Sequence, residues 1–126
     1  MRAELIRLYE EMSDLTKKKC QEGCKLAQFD HCRHRCCDPM YCDMSFGIAK
    51  DFWDIEPEMT DHEELSFMGP DGNCILEPHL RPFCTLHQCH IESLGFCIDD
   101  PDWTREYFEL RGKIDELQSK VFEGKF

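Results

Sequence analysis

Ten cysteines constrain this chain of 126 residues more than any other feature. They fall into two groups. The first is Cys20, Cys24, Cys32, Cys36, Cys37 and Cys42, and it includes the run HCRHRCCDPMYC from His31 to Cys42. The second is Cys74, Cys84, Cys89 and Cys97. The apolar content of 41% counts those cysteines. Without them the supply for a conventional core is thin, and a domain of this size gains from a cross-link or a metal.

Compartment decides between those two. Charges at Arg2, Glu4, Arg7, Glu10 and Glu11 interrupt the N-terminal segment, so it reads as neither a signal peptide nor a membrane span. The expected setting is soluble and cytoplasmic, where thiols stay reduced. There, clustered cysteines read first as metal ligands, and a disulfide scaffold is the rival. Net charge is -11, from 26 acidic and 15 basic side chains. This disfavours a nucleic-acid partner, which needs a basic face. The local exception is Lys17, Lys18, Lys19, Lys25, Arg33 and Arg35, read as charge compensation beside thiolates.

Two helices bracket the cysteines. Met1, Leu5, Leu8, Met12 and Leu15 form one apolar stripe, widened by Ile6 and Tyr9. This predicts a helix over about 2–19, ending near the lysine run, where cations suit the helix dipole. Trp103, Tyr107, Leu110, Ile114, Leu117 and Val121 predict a second helix over 101–122. Asp99 or Asp100 caps it, Pro101 lies in its first turn and Gly124 is a stop. Matched stripes predict antiparallel packing within one chain; a coiled-coil homodimer is the alternative to a monomer. In the middle, Ser45–Ile55 reads as a short helix. Thr60 with Glu63 reads as a capping box opening a helix through Phe67, and Gly69–Asn73 as a turn. Little sheet is expected. The fold class is a small, mainly α, metal-stabilised domain: an N-terminal helix (1–19), a metal-binding region (20–97) and a C-terminal helix (101–122), with the end helices packed together around an irregular middle.

Spacing narrows the chemistry. Cys20–Cys24 and Cys32–Cys36 are both C-x3-C, which sets two thiolates on one face of a helical turn. The C-x2-C knuckle of zinc fingers and ribbons is absent, as is the bacterial ferredoxin run. Adjacent Cys36 and Cys37 suit two neighbouring metals, or one ligand and one packed thiol.

Cys32, Cys36 and Cys37, followed by GNCILEPHLRPFCTLHQC from Gly72 to Cys89, resemble the YkgJ-like family of zinc- or iron-chelating proteins with a CxxCxxCC motif. The opening LYEEM is similar to the N-terminal helix of small members. The first cysteines stand further apart here, and one residue rather than two follows Arg81-Pro82 before Cys84. The resemblance implies metal chelation, with Cys32, Cys36, Cys37, Cys74, Cys84 and Cys89 as core ligands. Cys20, Cys24, Cys42 and Cys97 could complete a second site. Two four-coordinate sites would leave two cysteines spare.

His31, His34, His87 and His90 lie beside cysteines and could ligate or hydrogen-bond a ligand; His62 and His79 have weaker cases. Arg81 could bond a thiolate sulfur or a carboxylate. No HExxH, no HxE with a downstream C-x2-C and no phosphate-binding glycine loop occurs, so nothing names a substrate. Three readings stay open: a chelating protein with a structural zinc and room for a protein partner, an iron–sulfur protein for electron transfer or redox sensing, and a small metal-dependent enzyme.

Overall fold

The stripe at the head of the chain becomes α1, Arg2–Gly23, in the computed structural model. The structure describes residues 1–23, 39–61, 65–69, 74–86 and 100–123, with backbone alone at 19–23 and 39. Leu5, Leu8, Tyr9 and Met12 are buried, while Met1 stays exposed. The helix overruns the lysine run where it was expected to end. Lysine is a good helix former with an unbranched stem, and no glycine or proline intervenes before Gly23. The last turn consequently carries no basic residue, and the dipole argument for that stop fails.

The opposite end of the fold comes from Pro101–Val121, the last helix of the chain. The Asp100 carboxylate accepts from the Trp103 N–H at 3.1 Å, and Pro101 occupies the first turn, both as expected. Trp103, Tyr107, Ile114 and Phe122 are buried against Leu5, Leu8, Tyr9 and Met12 in one cluster. The pairing is antiparallel. The Arg2 guanidinium lies 5.3 Å from the Phe122 ring, the Tyr9 hydroxyl donates to Gln118, and the Trp103 indole N–H donates to the Leu15 carbonyl at 3.2 Å. Each fully buried side chain contributes about 1.5–3 kcal/mol, so this pair is the main core.

Between them, α2 spans Pro39–Trp53. It starts six residues earlier than the expected Ser45, because Pro39 is tolerated in a first turn and the cost of Gly47, about 1 kcal/mol, does not stop the helix. Asp54 adopts φ 55°, a left-handed conformation that aspartate tolerates, and the Ile55 N–H folds back to the Ala49 carbonyl at 2.9 Å. The expected helix from Thr60 through Phe67 is not formed at its far end, where Ser66 and Phe67 make a turn; Glu63 lies outside the described residues. The Thr60 N–H instead donates to the Ser66 carbonyl at 2.6 Å, closing a loop, and its hydroxyl is 3.3 Å from the same oxygen. Threonine hydroxyls compete with helix in this way.

Of the Gly69–Asn73 turn, only Gly69 is described, but its flanks pair. Met68 and Cys74 form an antiparallel bridge, and the Ile75 N–H donates to the Phe67 carbonyl at 2.8 Å. Among the described residues there is no longer strand. A 3-10 turn at Pro78–Leu80 then leads into α3, Pro82–Leu86, and the C-terminal helix is α4. Buried polar groups stitch α3 in place. The Thr16 hydroxyl is 3.3 Å from the Thr85 carbonyl, the Thr85 hydroxyl donates to Pro78 at 2.8 Å, and the Tyr107 hydroxyl donates to the Leu86 carbonyl. Gly124 lies outside the described residues. Among the described residues, no helix is long and apolar enough to cross a membrane.

Candidate functional site

A second, smaller cluster takes one cysteine from each group, Cys42 and Cys74. Its buried members are Ala49, Phe67, Leu76 and Leu80. Cys42, Phe46 and Trp53 pack on it from α2, with Ala49, at steps of four, three and four along one helix face. Cys74 packs on it from the other side. Residues 74–76 alternate as in a strand: Cys74 half-buried, Ile75 52% exposed, Leu76 buried. The alternation after the turn therefore directs Cys74 toward the helix that carries Cys42.

Burial pushes the Cys74 thiol up from its ordinary range. The Leu76 N–H donates to its sulfur and lowers it, as do the positive charges of Arg81 and Lys17; the neighbouring Cys42 charge raises it. Arg81 is itself anchored, its Nε donating to the Leu76 carbonyl at 3.0 Å. This differs from the thiolate or carboxylate bond that its sequence position allowed.

The third described thiol, Cys84, sits half-buried on α3, whose first residue is Pro82. Pro82 begins a helical turn here, with the Thr85 N–H bonded to the Arg81 carbonyl at 2.9 Å. Cys42 and Cys74 are free thiols. Cys20 lies on the last turns of α1, where only the backbone is described. Cys24, Cys32, Cys36, Cys37, Cys89 and Cys97 lie outside the described residues, as do His31, His34, His62, His87 and His90. The structure thus brings Cys74 of the expected core set together with Cys42 of the expected second site. Among the described residues, no group of three or more His, Cys, Asp or Glu side chains could hold a metal ion.

His79, given little weight from its sequence position, is only 3% exposed. Its ring meets Trp53 edge-on, with centroids 4.7 Å apart. Its Nδ1 has no hydrogen-bond partner and stands 3.6 Å from the exposed Glu77 carboxylate. Burial depresses its pKa, opposed by the negative charges of Glu77 and Glu10. The sign for stability follows directly. As pH falls through the ordinary histidine range near about 6.5, the unfolded chain takes a proton that folded His79 refuses. Stability is therefore lost in the window from that value down to the depressed folded pKa. The urea midpoint of the wild type should fall between about pH 7.5 and 6 by more than that of His79→Gln. Equal falls in the two chains would reject this role.

Comparison of the chain with family models, with characterised proteins and with solved structures returns no match in any of the three.

Proposed function

We propose that this chain is a cysteine-rich metal-chelating protein of the YkgJ-like kind, in which a largely structural zinc ties the two cysteine groups together. One observation carries the reading. Cys42 and Cys74, distant in sequence, pack on one apolar cluster, where burial holds the Cys74 thiol above its ordinary range. A four-coordinate site built on this pair takes two further donors from Cys20, Cys24, Cys32, Cys36, Cys37, Cys84, Cys89 and Cys97. Sulfur donors suit zinc and iron–sulfur clusters alike. Zinc is the reading kept here, since no feature of the site names an electron-transfer partner or a substrate.

The setting is cytoplasmic, where thiols remain reduced. The chain works as a monomer, its two long stripes occupied by each other, and any partner is a protein. An open groove of about 580 Å³ between α1 and α4 is lined by Glu11, Asp14, Asp100, Asp102 and Glu106 against Lys18. Such a surface repels a phosphate backbone.

Elemental analysis of anaerobically purified protein, with its visible spectrum, tests the reading. Zinc at one or more per chain and no colour is expected. Iron with sulfide and a broad visible band would replace it with a redox reading, and metal-free protein would reject chelation altogether. Cys36→Ser and Cys84→Ser should each lower bound metal per chain, and Cys97→Ser less so. Unchanged metal in the first two would reject their place among the ligands.

A further inference from the structure

Among the described residues, Trp53 alone packs on both clusters. From α2, only Trp53 and its neighbour Phe52 pack on the core of the α1–α4 pair. Both meet the Phe122 ring edge-on, with centroids 5.1 and 5.2 Å away. The Arg2 guanidinium lies 5.5 Å from the centre of the Trp53 ring and donates to the Phe52 carbonyl at 3.4 Å. The direct hold of the end helices on α2 is thus one aromatic junction.

His79 completes that junction from the second cluster, with its buried ring edge-on to Trp53. An uncharged imidazole suits the place. An imidazolium carries an N–H at both nitrogens, and the buried Nδ1 has no partner. The Glu77 carboxylate, 3.6 Å away, is beyond hydrogen-bond reach. Glu77 and Glu10 of α1 add negative charge from exposed positions, which offsets burial only in part. Arg2 already sets one positive charge against the same Trp53 ring, and Arg81, two positions along, turns its Nε to the Leu76 carbonyl. Movement of Trp53 away from His79 opens Nδ1 to water.

We propose that His79 is a proton-operated latch between the two clusters: uncharged it seats Trp53, and charged it releases the C-terminal end of α2 while the α1–α4 pair stays closed. The pair stays closed because Leu5, Tyr9, Met12, Tyr107 and Ile114 cluster without α2. As pH falls below about 6.5, the released form gains on the seated one by up to about tenfold per pH unit. Release uncovers Phe52 and Trp53 at the end of the helix that carries Cys42.

The chain has two tryptophans, one at the junction and one in the α1–α4 pair, so NMR of the full chain reads the two places separately. Between pH 7.5 and about 5.5, nuclear Overhauser cross-peaks between the Trp53 and Phe122 rings should fade. Those between Trp103 and Tyr107, whose rings stack 5.4 Å apart, should persist. In His79→Gln the Trp53–Phe122 peaks should hold throughout. Glu77→Gln removes a charge that favours the imidazolium and should move the midpoint of fading down by about half a pH unit. Peaks that persist in the wild type, that fade together with the Trp103–Tyr107 set, or that fade equally in His79→Gln would overturn the latch. Should His79→Gln not fold, Glu77→Gln decides alone, since that side chain is exposed; an unmoved midpoint then overturns it.

Discussion

Removal of metal by a chelator under reducing conditions is expected to abolish most of the helical circular dichroism, and added zinc to restore it. The reason lies in the size of the second cluster. Ala49, Phe67, Leu76 and Leu80 are its only buried members among the described residues. Four such side chains, one of them alanine, offset little of the conformational entropy of the segment joining α1 to α4. The α1–α4 pair rests on that segment, because α3 is stitched to Thr16 on one side and Tyr107 on the other. A structural zinc site carries an apparent binding free energy of about 10–16 kcal/mol at neutral pH. A domain has only about 5–15 kcal/mol of net stability. Loss of the first is enough to erase the second. An unchanged helical spectrum after verified metal removal would reject a structural role for the metal.

Truncation of Tyr107 is expected to be the most damaging single change in the apolar core. Its side chain is fully buried, and its ring stacks on Trp103 with centroids 5.4 Å apart. Its hydroxyl donates to the Leu86 carbonyl and accepts from Arg111 at 3.0 Å. Tyr107→Ala should cost about 3–5 kcal/mol, the range for emptying an aromatic site in a core. Tyr107→Phe keeps the ring and strips the hydroxyl, leaving the Leu86 carbonyl without this donor, and should cost about 1 kcal/mol. Urea titration at fixed metal concentration measures both. Equal losses would mean that the hydroxyl, rather than the ring, carries the site. Metal content per folded chain should stay at the wild-type level in Tyr107→Phe, because no cysteine moves.

The parts legible in the sequence are those set by local period. Trp103, Tyr107 and Ile114 advertise a buried face by their steps of four and seven, and they are buried. Asp100 and Pro101 announce the start of α4 by their own chemistry. Boundaries read less well where no residue forbids continuation: α1 runs through Lys17–Lys19, and α2 begins at Pro39. The helix read from Thr60 through Phe67 does not form at its far end, where the Thr60 hydroxyl and N–H meet the Ser66 carbonyl across a loop. The meeting of Cys42 with Cys74 was illegible for a different reason. Spacing within each cysteine group says which thiols share a helical turn. It says nothing about which group folds onto which, and that is set by the turn after Met68 and by the apolar face of α2.

The partnership of the first helix with the last has a consequence for how the protein is made. Tyr9 and Gln118, which bond to each other, are 109 positions apart. On the ribosome α1 emerges well before α4, the helix that covers most of its apolar face. At about 5–20 residues per second, its apolar face waits roughly 5–20 s. For that interval Leu5, Leu8 and Met12 are open to chaperones or to other nascent chains. The cysteine-rich middle emerges during the same interval, before the last helix can close on the first.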